Sequence, residues 1–238
     1  MSTALCLDVS LTATGYLAVA LPFAPVEMVR HGGTYVERAS DPTLERDGRR
    51  WCGELPTGGP KEGLVERAGR LARQVGELLD DLRPTVVAAE QAMQMFTQGS
   101  GKTSSASMQM QQWSYAACAI PCWLRGIPLL RVDPKWPKEA VAGQANAGKP
   151  AVAAALALRY GVAQRGGKLR AWPGGWGSNN VRDALCVAIW LEGQYRIYGD
   201  AQRLADALLV ANGERPLADW LARSAPASPR DISYQHTA

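Results

Sequence analysis

Histidine is nearly missing from this chain. Its two copies are His31, near the edge of an expected strand, and His236, in the C-terminal tail. A serine or cysteine nucleophile with a histidine base has little support from that pair. The five cysteines, Cys6, Cys52, Cys118, Cys122 and Cys186, are scattered and odd in number. Three lie in apolar contexts, which fits reduced, buried thiols in a cytoplasmic protein. Cys118-x-x-x-Cys122 contains Pro121 and has no partner pair, so a zinc site is not expected. No apolar run approaches the length of a membrane span. No basic segment precedes the first apolar stretch and Asp8 interrupts it, which argues against a signal peptide. No internal repeat is visible.

What is present is a 238-residue chain that is 47% hydrophobic and 20% charged, enough to bury a sizeable core. The net charge of +4 is unevenly spread. Between Arg131 and Arg170 eight basic residues face two acids, Asp133 and Glu139, a local excess of about +6. Such a window is either a solvated surface or a face for a polyanion such as nucleic acid.

Hydrophobic periodicity organises the chain. Residues 3–9 read as a buried strand, Thr12 to Leu21 as a second and Val26 to Val36 as a third, together an antiparallel meander. The polar, Gly-, Pro- and Arg-rich stretch 38–63 reads as a loop or insertion. Leu64 to Leu82 has helical spacing and stops before Pro84. Thr85 to Glu90 reads as a strand, Ser104 to Leu124 as a helix ended or kinked at Pro121, and Ile127 to Val132 as a strand. Short helices are expected at Pro137 to Ala142 and Lys149 to Tyr160, a Gly- and Trp-rich loop at Gln164 to Ser178, and a helix at Asn180 to Tyr198. Two further helices are expected at 200–212 and 215–224, then a disordered tail. The order is that of a mixed α/β fold.

Three acids occupy telling positions in this scheme. Asp8 lies in Leu5-Cys6-Leu7-Asp8-Val9-Ser10, Glu90 ends Val86-Val87-Ala88-Ala89-Glu90, and Asp183 opens the apolar helix Asn180-Val181-Arg182-Asp183-Ala184-Leu185-Cys186. A carboxylate in an apolar strand is costly unless something compensates it, and a divalent cation is one such compensation. If the first strand is central and lies beside the strand ending at Glu90, side chains near one end converge. The last helix then brings in Asp183, with Asn180 three residues earlier on the same helix face. Three carboxylates and an amide oxygen match Mg²⁺ or Mn²⁺ rather than zinc. Two such ions can bind a phosphodiester, activate water and stabilise the leaving 3′ oxygen.

From about residue 3 to residue 198 the chain resembles the RuvC-like Holliday junction resolvases, within the ribonuclease H-like superfamily. Leu7-Asp8-Val9-Ser10-Leu11-Thr12-Ala13-Thr14-Gly15-Tyr16 is similar to that family's first strand and turn, Glu90-Gln91 to its second acidic motif, and Asn180-x-x-Asp183-Ala184-Leu185 to its third. Lys138-Glu139-Ala140-Val141-Ala142-Gly143, followed by Lys149, resembles the segment that holds DNA phosphate. Phage-like branches of the family resemble the chain more closely. The interval from Asp8 to Glu90 is wider than in compact members, with 38–63 as its source.

The resemblance implies a ribonuclease H-like α/β fold over 1–198, with a mixed five-stranded sheet of a three-stranded antiparallel meander plus two parallel strands, flanked by helices. Residues 199–224 would form a C-terminal helical extension and 225–238 a disordered tail. It also implies a metal-dependent endodeoxyribonuclease of branched DNA that leaves a 5′-phosphate and a 3′-hydroxyl. Two Mg²⁺ (or Mn²⁺) ions would be held by Asp8, Glu90, Asp183 and Asn180, with Asp8 bridging them and Lys138 joining the catalytic set. DNA contacts would come from Lys138, Lys149, Lys102, Lys135 and Phe96. A homodimer is implied, with no membrane and no small-molecule cofactor.

Blander readings stand beside these. Asp8 also reads as a strand-end cap, Glu90 as a surface strand end, and Asn180-x-x-Asp183 as a helix N-cap with an acid at N3. Gly99-Ser100-Gly101-Lys102-Thr103 mimics the end of a P-loop, but Phe96 stands where its first glycine belongs. Phe96 is either a wedge between bases or a locally packed residue. Trp172 and Trp176 stack on bases or pin their loop, and Arg46, Arg49, Arg50 and Trp51 raise the same question. The helix from Ser104 is either core or a dimer face. Two other functions remain open: a non-catalytic nucleic-acid-binding module on this fold, and an actin-like ATPase, because Asp8-x-Ser-x-x-x-x-Gly15 looks like that class's phosphate loop.

Overall fold

The computed structural model describes residues 2–23, 27–31, 34–59, 61–90, 105–162, 164–165, 168–169, 172, 174–200, 203–204 and 206. In chain order the strands are β1 (Ser2–Asp8), β2 (Ala13–Leu21), β3 (Glu27–His31), β4 (Thr34–Arg38), β5 (Glu45–Arg46), β6 (Arg49–Arg50), β7 (Cys52–Pro56), β8 (Val86–Glu90), β9 (Leu129–Val132), β10 (Gln164–Arg165) and β11 (Lys168–Leu169). The helices are α1 (Leu64–Leu82), α2 (Ser105–Leu124), α3 (Lys135–Ala142), α4 (Lys149–Arg159) and α5 (Asn179–Tyr198).

β1 is the middle strand of a five-stranded sheet ordered β7-β2-β1-β8-β9. It pairs antiparallel with β2 and parallel with β8; β2 pairs antiparallel with β7, and β8 parallel with β9. A strand covered on both faces reads as a continuous apolar run, and β1 from Ala4 to Leu7 and β8 from Val86 to Ala89 do. On one face Ala4, Cys6, Leu17, Val19, Val86 and Ala88 pack with Val181, Ala184, Leu185 and Ala188 of α5. On the other, Leu5, Leu7, Ala18, Val87 and Ala89 meet Leu71, Val75 and Leu79 of α1 and Ala117, Cys118 and Cys122 of α2. All five cysteines are free thiols. Among the described residues no helix is long and apolar enough to cross a membrane.

The mixed sheet is as expected, but its third antiparallel strand is not the segment Val26 to Val36. That position belongs to β7, inside the stretch 38–63 expected to be loop. The segment around Val29 and Val36 instead forms a separate two-stranded sheet, β3 against β4. β7 was hard to read because Cys-Gly-Glu-Leu-Pro contains Gly and Pro, which rarely occupy strand interiors. As the edge strand it tolerates both. Thr57, fully buried, then donates to the Leu11 carbonyl and ties the end of β7 to the β1–β2 turn.

Helix ends follow local chemistry. α1 starts after Gly63, whose N–H donates to the Glu66 carboxylate at 2.9 Å, and ends at Arg83 in the left-handed region before Pro84. α2 continues through Pro121 to Leu124, so the proline lies in the last turn of the helix. α5 is capped by Ser178, whose hydroxyl accepts from the Val181 N–H at 3.1 Å. Asn180 is therefore not the cap; it lies inside the first turn. Near the other end of α5 the buried Glu192 accepts from Phe23 N–H at 3.0 Å and from Arg196 Nε at 2.6 Å, fastening the exit of β2 to the helix. The expected helices after 199 and the tail lie outside the described residues, apart from 200, 203–204 and 206; Leu204 packs into the core.

The first turn of α5 lies directly on β2. A Cβ at Gly15 would fall far inside van der Waals contact with the Asn180 carbonyl and 2.8 Å from the Val181 nitrogen. Backbone stands on both sides, so nothing flexible can yield. Gly15→Ala is expected to cost about 2–3 kcal/mol and lower the melting temperature by roughly 5–10 °C, read by thermal melts. An unchanged melt would mean that α5 does not seat there.

Candidate active site

Alternation along each strand decides which side chains meet. Asp8 shares a face with Ala4 and Cys6, and Glu90 with Val86 and Ala88; both face α5. The β1–β8 register sets Asp8 directly beside Glu90. Parallel neighbours lie about 4.8 Å apart, so two carboxylates end adjacent strands on one patch. The same row continues the other way, from Asp8 to Gly15 and from Gly15 to Glu54. The missing side chain at Gly15 admits α5, which carries Asn180 and Asp183.

The charges of the patch act on one another. Burial first, then the charges of Asp183 and Glu54, push Asp8 up to about 7, with Lys149 opposing. Burial first, then Asp8 and Asp183, push Glu90 up to about 8, with Lys138 and Lys149 opposing. Lys149 opens α4, and its Nζ lies 3.6 Å from Asp183 Oδ2 while the side chain stays 72% exposed. Lys138 is half-buried on α3. Lys135 is exposed, three residues earlier on that helix.

The acids therefore meet as a patch of like charges, not as a finished cage. Among the described residues no three His, Cys, Asp or Glu side chains are gathered tightly enough to ligate one ion. Mg²⁺ seldom needs such a cage: it keeps several waters and takes one or two carboxylates plus substrate phosphate. An all-oxygen donor set of Asp8, Glu90, Asp183 and the Asn180 amide suits that ion, and a cation would relieve the mutual repulsion of the acids.

Other expected residues separate. Asn180 Nδ2 donates to Glu54 Oε1 at 2.8 Å, a contact with no counterpart in a plain N-cap. Glu54 itself is unassigned from sequence. Its signal, the alternation Cys52, Glu54, Pro56 on one face, is visible only once β7 is recognised. Trp176 is fully buried, and its Nε1 donates to Thr43 Oγ1 at 3.0 Å, so it pins the loop and has no free face for a base. Trp172 lies under the Arg182 guanidinium at 4.9 Å. Trp51 is also buried, with Arg49 above its ring at 3.9 Å; Arg50 is held by Asp41 and Glu45. In the β1–β2 turn Ser10 and Thr12 share a hydrogen bond of 2.6 Å, and Thr14 Oγ1 donates to the Ser10 carbonyl at 2.7 Å. That turn satisfies its own hydroxyls, unlike a loop awaiting nucleotide phosphate. Phe96, Lys102 and the Gly99–Thr103 segment lie outside the described residues.

No protein-family model matches the chain, and no curated protein matches it. Solved structures do. Thermus thermophilus RuvC is similar with a TM-score of 0.52 and 22% identity, over 82% of this chain and 96% of that one. Thermus thermophilus RuvC in complex with Holliday junction substrate has a TM-score of 0.52 and 20% identity, over 90% and 97%. The chain has the RuvC fold. In this RuvC-like sheet the acids sit at the C-terminal ends of the parallel strands, where open α/β sheets place their ligands.

Raised values for Asp8 and Glu90 tie protons to the folded state. Their stabilising contribution is intact below about pH 4 and is lost as pH rises through 7 and 8. Asp8→Asn removes one repelling charge. Without divalent ions it is expected to stabilise the protein at pH 8 by about 1–2 kcal/mol, a few degrees in melting temperature, with the gain shrinking toward pH 5. Melts in EDTA at both values check this; equal gains at the two would refute the repulsion.

Proposed function

We propose that this protein is a metal-dependent, structure-selective endodeoxyribonuclease of the RuvC-like kind, which nicks Holliday junctions or other branched DNA. The observation that carries the reading is the juxtaposition of Asp8 and Glu90 under the first turn of α5, with Asp183, Lys138 and Lys149 around them. The RuvC fold, and a neighbour solved with a Holliday junction substrate, support the choice of substrate.

In this mechanism Asp8, Glu90 and Asp183 would hold divalent cations, with Asn180 adding a neutral oxygen. Bound Mg²⁺ or Mn²⁺ supplies charge neutralisation at the phosphate and a lowered pKa for water. Lys138 and Lys149 take the non-bridging oxygens of the scissile phosphate as point charges. Lys149 leaves Asp183 as it does so. Water oxygen bonds to phosphorus in line, the bond from phosphorus to the 3′ oxygen breaks, and the proton lost by water ends on that oxygen. The products are a 5′-phosphate and a 3′-hydroxyl. Lys135 extends the basic face along α3 for the flanking backbone.

The enzyme acts as a homodimer in this reading. Trp113, Ile120 and Leu124 of α2 are 43%, 54% and 67% exposed and recur at helical spacing, so they form one apolar stripe. A second copy packed on it by two-fold symmetry presents two sites for paired nicks.

A labelled four-way junction with Mg²⁺ is expected to be cut into 5′-phosphorylated products. Loss of partners around metal ligands costs about 10–100-fold, so Asp8→Asn, at a ligand itself, is expected to lose more than about 100-fold. Equal cleavage by the variant would sink the assignment. Tight junction binding with no cleavage in Mg²⁺ or Mn²⁺ would favour a non-catalytic module instead. Ile120→Glu with Leu124→Glu is expected to yield monomers by light scattering and to turn paired nicks into single ones; a dimer that survives both would place the interface elsewhere.

A further inference from the structure

Glu54 stands on the edge strand, where a charged residue is often only a guard against further strand pairing. Its place in the sheet says more. It lies in one register row with Gly15, Asp8 and Glu90, on the face that α5 covers. The slot over Gly15 is filled by the backbone of Asn180, so that residue sits between Glu54 and Asp8. Ser178 caps the helix, which leaves the Asn180 side chain free of that duty. It is spent on Glu54 instead, through the 2.8 Å bond from Nδ2 to Oε1.

A carboxylate oxygen accepts and never donates, so it draws the NH₂ end of the amide and fixes which way the group is turned. The amide is planar. With Nδ2 held by Glu54, Oδ1 is the atom of the amide left for another partner. We propose that Glu54 is a positioning residue: it orients Asn180 so that the amide presents its oxygen, not its nitrogen, to the metal-binding acids. The amide turned the other way would aim two N–H donors at a cation. This inference rests on the metal-dependent reading above and adds to it a fourth acidic residue, one that acts through another side chain. Orienting groups of this kind behind a ligand set its geometry and affinity.

The test is Mn²⁺ binding, followed by the ion-induced rise in melting temperature, with the Mg²⁺ dependence of junction cleavage beside it. Glu54→Ala is expected to raise the half-saturating Mn²⁺ concentration about 10-fold. Glu54→Gln keeps an oxygen that accepts from Nδ2, and is expected to stay within about threefold of wild type. Asn180→Asp needs no orienting partner, since both of its terminal atoms are oxygens; in the Glu54→Ala background it is expected to restore the affinity. Glu54→Ala without effect on Mn²⁺ would overturn the proposal. So would a Glu54→Gln loss as large as that of Glu54→Ala, which would assign the effect to charge, or a failure of Asn180→Asp to rescue. Metal-free melts of all variants separate these outcomes from misfolding. Asp8→Asn separates them from failure of the parent reading. If wild type and Asp8→Asn respond identically to Mn²⁺, the metal centre itself is wrong and Glu54 has nothing to orient.

Discussion

The rest of the structure depends on a contact that a single methyl group would forbid. α5 can cross the sheet at this depth only because Gly15 offers no side chain to its first turn. That seat fixes where the helix begins relative to the ends of β1 and β8. It thereby decides that Asp183 arrives near Asp8 and Glu90, with Asn180 over Gly15 beside Glu54. The apolar stripe of Val181, Ala184, Leu185 and Ala188 holds the helix down, and the buried Glu192 anchors it to the exit of β2.

A site assembled this way concentrates like charge on an apolar floor. The sheet beneath Asp8 and Glu90 is fully buried, so water screens the acids poorly: burial raises both, Asp183 adds to each, and Asp8 adds to Glu90. The lysines of α3 and α4 offset part of that cost without removing it. The patch is thus a local cost to stability. The hydrophobic burial of two sheet faces supplies the margin that lets the acids remain. The same arrangement makes the patch attractive to any small, hard cation and to the polyanion such a cation would bring.

Much of this was legible in the chain because it is local. Continuous apolar runs marked β1 and β8, since strands covered on both faces have no polar side to show. The 3.6-residue spacing of Leu71, Val75, Leu78 and Leu82 marked α1, and Pro84 its end. The acids stood out because Asp8 and Glu90 interrupt or end such runs. Where local signals were weak the reading went astray. β7 carries Gly and Pro and owes its existence to pairing with β2, so nothing in its own residues announces a strand. Without β7 there was no way to see Glu54. Asn180 read either as a ligand or as a helix cap, and only geometry shows that Ser178 takes the N–H. Trp176 could stack or pin until the Thr43 hydroxyl was found beneath it.

By itself, then, the sequence determined β1, β2, β8, β9 and the helices from α1 to α5, and showed acids beside a basic window. These follow from periodicity and from the cost of burying charge, both readable within a few residues. The tertiary structure alone decided the register that pairs Asp8 with Glu90 and Gly15 with Glu54, the depth at which α5 lies, and the partner of Asn180. Register and helix docking are set by contacts between residues far apart in the chain, and those contacts leave no pattern in any one segment.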